Sequence, residues 1–132
     1  MDVVIIDDDL HVKAAATHDA GATWAGWWPL GDLVVDSRSA LAMVSRSPQT
    51  LDVFAIDPDR RVWTARWDGG VSDQWQAWKP VLDLRAARAS GLAVTSRHPS
   101  HLDLFVVAED GRTWTAGWAD GHWQGRWPVA DT

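Results

Sequence analysis

The feature that most constrains this chain is an internal repeat. The stretch Ser39 to Phe54 can be laid over Ser90 to Phe105 at an offset of 51, and nine of the sixteen positions are identical. They include Ser45/Ser96, Arg46/Arg97, Pro48/Pro99 and Leu51-Asp52/Leu102-Asp103. The same offset carries Trp63-Thr64-Ala65 onto Trp114-Thr115-Ala116, and Trp67 onto Trp118. After a three-residue shortening, Trp75-Gln76-Ala77-Trp78-Lys79-Pro80-Val81 matches Trp123-Gln124-Gly125-Arg126-Trp127-Pro128-Val129. A third, worn copy opens the chain. Asp2-Val3-Val4-Ile5-Ile6-Asp7 aligns with Asp52 to Asp57, and Trp24-Ala25-Gly26-Trp27-Trp28-Pro29-Leu30 aligns with the Trp75 and Trp123 segments. This copy has no Ser-Arg-x-Pro stretch before it, and Lys13 and Thr17 stand where the later copies have their Trp pair. The chain therefore divides into a partial unit at 1–38, a full unit at 39–89 and another at 90–132.

Each unit reads as four short strands. Leu92 to Ser96 and Leu102 to Val107 are β-rich runs separated by a polar turn, and Arg112 to Trp118 follows the hairpin signal Glu109-Asp110-Gly111. A last strand is expected near Trp123 to Val129, beyond Ala119-Asp120-Gly121-His122. Leu84 to Ala89 looks helical alone, but its counterpart Leu33 to Arg38 does not, so both read as connectors. Four strands every 40 to 50 or so residues with a recurring aromatic signature is the sequence form of a β-propeller blade. The expected class is all-β, with blades of four antiparallel strands. Whether the Leu-Ala-x-x-Ser-Arg strand begins a blade or ends one is open at this level.

Propellers close with roughly four to eight blades, and this chain carries fewer than three. An open stack would leave apolar blade faces in water. The expectation is a homo-oligomer whose chains share one ring, a six-bladed dimer being the simplest closure. The alternative is a fragment of a longer propeller.

Composition excludes several classes. Eighteen acidic against twelve basic side chains give a formal charge of −6, and the basic residues are scattered, which disfavours nucleic acid as a partner. There is no cysteine, so disulfides, thiolate metal sites and cysteine nucleophiles are out. No apolar run has the length of a membrane span, and Met1 leads into Asp2-Val3-Val4 without a basic region. A soluble chain without a signal peptide is expected, cytoplasmic or released without a classical signal, the compartment being unknown.

The quoted motifs are Ser-Arg-x-Pro-x-x-Leu-Asp-hydrophobic-Phe, Asp-Gly-x-x-Trp-x-x-x-Trp and Trp-x-x-Trp-x-Pro-hydrophobic. Together they resemble PLL-type bacterial propeller lectins and their tectonin-like relatives over nearly the whole chain. That resemblance implies a carbohydrate-binding lectin with glycan partners, selective for fucose or related, sometimes O-methylated, sugars held between adjacent blades. Such lectins are typically seven-bladed, which is not a multiple of the units present here. By resemblance the sugar-binding positions are Trp63, Trp67, Trp114 and Trp118, with Arg46 and Arg97 from neighbouring loops. A local stretch, Thr17-His18-Asp19-Ala20-Gly21-Ala22-Thr23-Trp24, is similar to the Asp-box of sialidase-type propellers, a structural turn. Sialidases normally use a Tyr nucleophile, and this chain has no Tyr.

The eleven Trp admit two readings. An indole covers the apolar face of a pyranose while polar neighbours bond its hydroxyls. It also fills space between blades. Trp63, Ala65 and Trp67 share one strand face, as do Trp114, Ala116 and Trp118. Arg46 and Arg97 can fork onto sugar hydroxyls or a carboxylate, or tie loops together through Asp52 or Asp103. Asp7-Asp8-Asp9 lacks an EF-hand pattern and aligns with the hairpin turn Asp57-Pro58-Asp59. The five His have no metal spacing, so neither a metal nor another cofactor is expected. No nucleophile with a base and no carboxylate pair is apparent, so the chain is not expected to be an enzyme. The alternative to a lectin is a non-catalytic structural or protein-interaction propeller, with a hydrolase fragment a distant third.

Overall fold

The computed structural model describes residues 1–130. These form eleven strands and no helix: β1 (Asp2–Ile6), β2 (His11–Ala16), β3 (Ala25–Val34), β4 (Ala42–Ser47), β5 (Thr50–Ile56), β6 (Arg61–Asp68), β7 (Lys79–Arg85), β8 (Leu92–His98), β9 (His101–Val107), β10 (Thr113–Ala119) and β11 (His122–Pro128). They make three antiparallel sheets, ordered β1-β2-β3, β4-β5-β6-β7 and β8-β9-β10-β11. These are propeller blades, two complete and one three-stranded. Among the described residues no helix is long and apolar enough to cross a membrane. Residues 131 and 132, the end of the last repeat unit, lie outside the described residues.

The phase left open by the sequence is decided by pairing. The Leu-Ala-x-x-Ser-Arg segments are β4 and β8, each at the edge of its sheet next to β5 or β9. The first sheet therefore lacks the strand that begins the other two. The segments read as connectors are shorter than the sequence suggested. Leu33-Val34 still belongs to β3, and Leu84-Arg85 to β7. The physical reason is burial, since Val35 and Leu84 are both at most 1% exposed and hold the chain against the core.

The hairpins follow from local chemistry. The Asp57 carboxylate accepts the Arg61 N–H at 2.9 Å, as the Asp7 carboxylate accepts the His11 N–H at 2.9 Å. The turn then needs a left-handed residue, and Leu10 (φ 63°) and Arg60 (φ 67°) supply it at strain that Gly111 (φ 79°) avoids in the third copy. Asp120-Gly121, both at positive φ, closes the β10–β11 hairpin in the manner favoured by Asp-Gly.

Packing is sheet on sheet. Val53 and Ala55 of β5 join Val12, Ala14 and Leu30 in a core between the first and second sheets. Phe54 and Ile56, on the opposite face of β5, join Leu102, Leu104, Val106 and Ala116 between the second and third. The middle sheet is thus apolar on both faces, which is why β5 loses the alternation of a half-exposed strand. Burying a side chain such as Phe54 contributes about 1.5–3 kcal/mol.

Candidate functional site

The two sheet junctions are built from corresponding residues but differ in what fills them. At the first, a cleft of about 650 Å³ lies between the Ala14–Ala16 end of β2 and Trp67 of β6. Three small alanines leave the space, and large rings wall it. Trp67 and Trp75, joined by a backbone bridge, stand on one side, with Trp28 and Pro29 of β3 opposite. Its polar groups are Asp2, His18, Asp73 and Gln74. The side chains of these four make no hydrogen bond or ion pair with another described residue, and all four residues are exposed. Broad apolar walls with a few polar groups at the margin suit a small, amphipathic ligand.

At the second junction the same space is occupied. Asp52 (1% exposed) accepts from Arg46 Nε at 2.7 Å and from Arg66 Nε at 2.7 Å. Both guanidinium groups lie over the ring of Trp118, at 4.7 and 4.3 Å from its centroid. Arg46 also donates to the Pro99 carbonyl at 2.6 Å, tying the two sheets together. The aligned residues explain the contrast. Ala16 stands in the place of Arg66, and the missing edge strand of the first sheet removes any counterpart of Arg46. Asp2, the counterpart of Asp52, is left without either cation.

The six residues singled out from the sequence are therefore dispersed. Trp67 lines the open cleft. Trp118 and Arg46 meet at the second junction. Trp63 lies at the far end of β6, its indole N–H donating to Asp57 at 2.8 Å. Trp114 likewise donates to both carboxylate oxygens of Asp110, at 3.1 and 3.0 Å, beneath the Arg126 guanidinium. Arg97 is 84% exposed and only 3.7 Å from Asp103. Sequence reasoning passed over Trp28, Trp75, Asp2, His18, Asp73 and Gln74. Trp28 and Trp75 were legible only as members of a repeated strand, and His18 only as a surface residue of a turn.

That turn borders the cleft. The Asp19 carboxylate accepts from Thr17 Oγ1 at 2.7 Å, from the Thr23 N–H at 2.9 Å and from the Thr23 hydroxyl. These bonds to the charged form, those from Thr23 foremost, lower the Asp19 pKa to about 2. At the other end of the sheet, Lys13 and the His11 N–H hold the Asp7 carboxyl below its usual range. Asp7 therefore serves its own hairpin.

No known family model matches this sequence, and no curated protein does. Solved structures do. The BP39L lectin from Burkholderia pseudomallei superposes with a TM-score of 0.80 and 25% identity over 99% of this chain. This chain spans 38% of that lectin's length. A fucose lectin from Kordia zhangzhouensis, solved in complex with methyl-fucoside, gives a TM-score of 0.69 at 14% identity. There the match covers 99% of this chain and 90% of the other, and it speaks for the fold alone.

Proposed function

We propose that this chain is a non-catalytic carbohydrate-binding protein whose sugar site is the cleft between its first two sheets. The observation that carries the reading is the pairing of indole walls, the half-buried Trp67 and Trp75 and the exposed Trp28, with four polar side chains that have no partner among the described residues. A pyranose presents an apolar C–H face and a rim of hydroxyls, and this cleft offers the complementary halves. Asp2, Asp73 and Gln74 accept or donate to hydroxyls. Fucose and its O-methylated relatives suit such a cleft, because a methyl group adds apolar surface for the rings to cover. The likeness to the Burkholderia pseudomallei lectin supports the class.

A second reading, a structural or protein-interaction propeller, is favoured by the second junction. There Arg46, Arg66 and Trp118 fill the space with protein, and Trp63 and Trp114 serve their own hairpins. The two readings part at a glycan array followed by calorimetry. Selective binding to fucosylated or O-methylated glycans, weakened tenfold or more by Trp67→Ala and by Trp75→Ala, supports the lectin. A blank array on folded protein, or affinity untouched by both substitutions, overturns it.

A further inference from the structure

Among the described residues, only the middle sheet has both faces covered, and the repeat identifies what the two outer faces are. On the third sheet, Phe105 and Val107 stand where Phe54 and Ile56 stand in the middle one. Phe54 and Ile56 are buried against the third sheet, Phe54 lying edge-on to Trp123 with ring centroids 5.7 Å apart. Val107, with no sheet beyond it, is 39% exposed. On the first sheet, Val3 and Ile5 take the places of Val53 and Ala55, and Trp24 and Trp27 those of Trp75 and Trp78. Trp75 and Trp78 pack into the first junction, and Trp78 donates its indole N–H to the Leu30 carbonyl. Trp24 and Trp27 are instead 48% and 49% exposed. The molecule thus ends in two different half-interfaces, each the counterpart of one already used inside it.

We propose that the third sheet of one copy stacks on the first sheet of a second copy, repeating the internal junction, and that two such contacts close a ring of two chains. Phe105 then meets Trp24 of the second copy as Phe54 meets Trp123. The six sheets of such a pair fall within the range in which propellers close. The driving force is burial of the apolar faces, whose counterparts inside the molecule are buried at Phe54 and Ile56 and half-buried at Trp75 and Trp78. Each contact joins unlike faces, and in the closed pair a two-fold axis relates the two contacts, so each chain gives its third sheet and receives on its first. Each contact also differs in chemistry from the second junction. Gly117 and Thr17 stand where Arg66 and Trp118 close that space, so the shared junction is open and Arg97, unlocked by any second cation, borders it. The inference does not depend on what the first cleft binds.

Sedimentation velocity on the full chain tests it. The expected mass is twice the 14.6 kDa of one chain. Phe105→Asp breaks one face and Ile5→Asp the other, and each variant alone is expected to sediment as a folded monomer by circular dichroism; Val107→Asp replaces the first if it fails to fold. An equimolar mixture of the two retains one intact pair of unlike faces and is expected to form an open dimer. A monomeric native chain overturns the proposal. So does an oligomer that both variants leave intact, or a mixture of folded variants that stays monomeric.

Discussion

Asp52 sits between two guanidinium groups, and its tie to Arg46, Nε to Oδ2 at 2.7 Å, is the most deeply buried ion pair of the molecule's described residues. The Arg46 side chain is 8% exposed and the carboxylate 1%. Asp103, at the corresponding place in the next repeat, faces a largely solvated Arg97 at 3.7 Å. One sequence motif thus produces two energetic situations.

Asp52→Ala leaves Arg46 without its carboxylate in a buried junction, and removing one partner of such a pair costs about 3–5 kcal/mol. Asp103→Ala breaks an exposed pair, for which about 0–1 kcal/mol is expected. Urea unfolding of the two variants side by side checks the difference. Equal destabilisation would mean that the repeat position, not burial, sets the contribution.

Arg66→Ala introduces at the second junction the residue type that Ala16 supplies at the first. Asp52 keeps Arg46, but the ring of Trp118 loses one of its two covering cations. The expected outcome is a partly opened junction, with Arg46 still over one side of the Trp118 ring, read as increased acrylamide quenching of tryptophan emission.

The Thr17–Thr23 turn should survive mild acid. With the Asp19 pKa lowered from 3.8 to about 2, the charged carboxylate favours the folded turn. Its contribution is fully present above the unfolded value of 3.8 and is lost as pH falls through about 2. The Thr23 amide resonance should titrate with a midpoint near the lower value. A midpoint near 3.8 would show that the Thr23 and Thr17 bonds are not made in solution.

Gly26 has φ +128°, and a Cβ there would come within 2.8 Å of the Ala14 carbonyl oxygen and 2.9 Å of the Ala15 Cα. Both obstacles are the neighbouring strand, which cannot step aside as a flexible side chain can. Gly26→Ala is expected to destabilise the first sheet by more than ~1 kcal/mol. It should also disturb the cleft, because Ala14 and Ala15 line it. Gly91→Ala, with no atom near its Cβ and no positive φ, is the control expected to leave stability nearly unchanged.

The all-β class and the blade architecture were legible in the sequence, because a repeat must place equivalent residues in equivalent surroundings. Alternation and turn chemistry then define each hairpin locally: Asp57 reaches its own Arg61 and Trp63, and Asp120-Gly121 turns β10 into β11. The Trp pairs were also legible, but not their roles. Trp63 and Trp67 share a strand face two turns of the pleat apart, yet one bonds to a hairpin aspartate and the other walls a cleft.

What the tertiary structure alone decided is which repeated position faces which. Arg46 and Arg97 hold the same position of the repeat, but only Arg46 has a following sheet to cover it. Trp75 and Trp24 align, but only Trp75 has a preceding sheet. The open cleft likewise depends on two absences at one junction, the missing edge strand and the Ala16 side chain, which are far apart in the alignment and meet only in space. A sequence determines the strand and its turn through bonds between near neighbours; burial is a property of the stack, set by what lies about 10 Å away across the sheet.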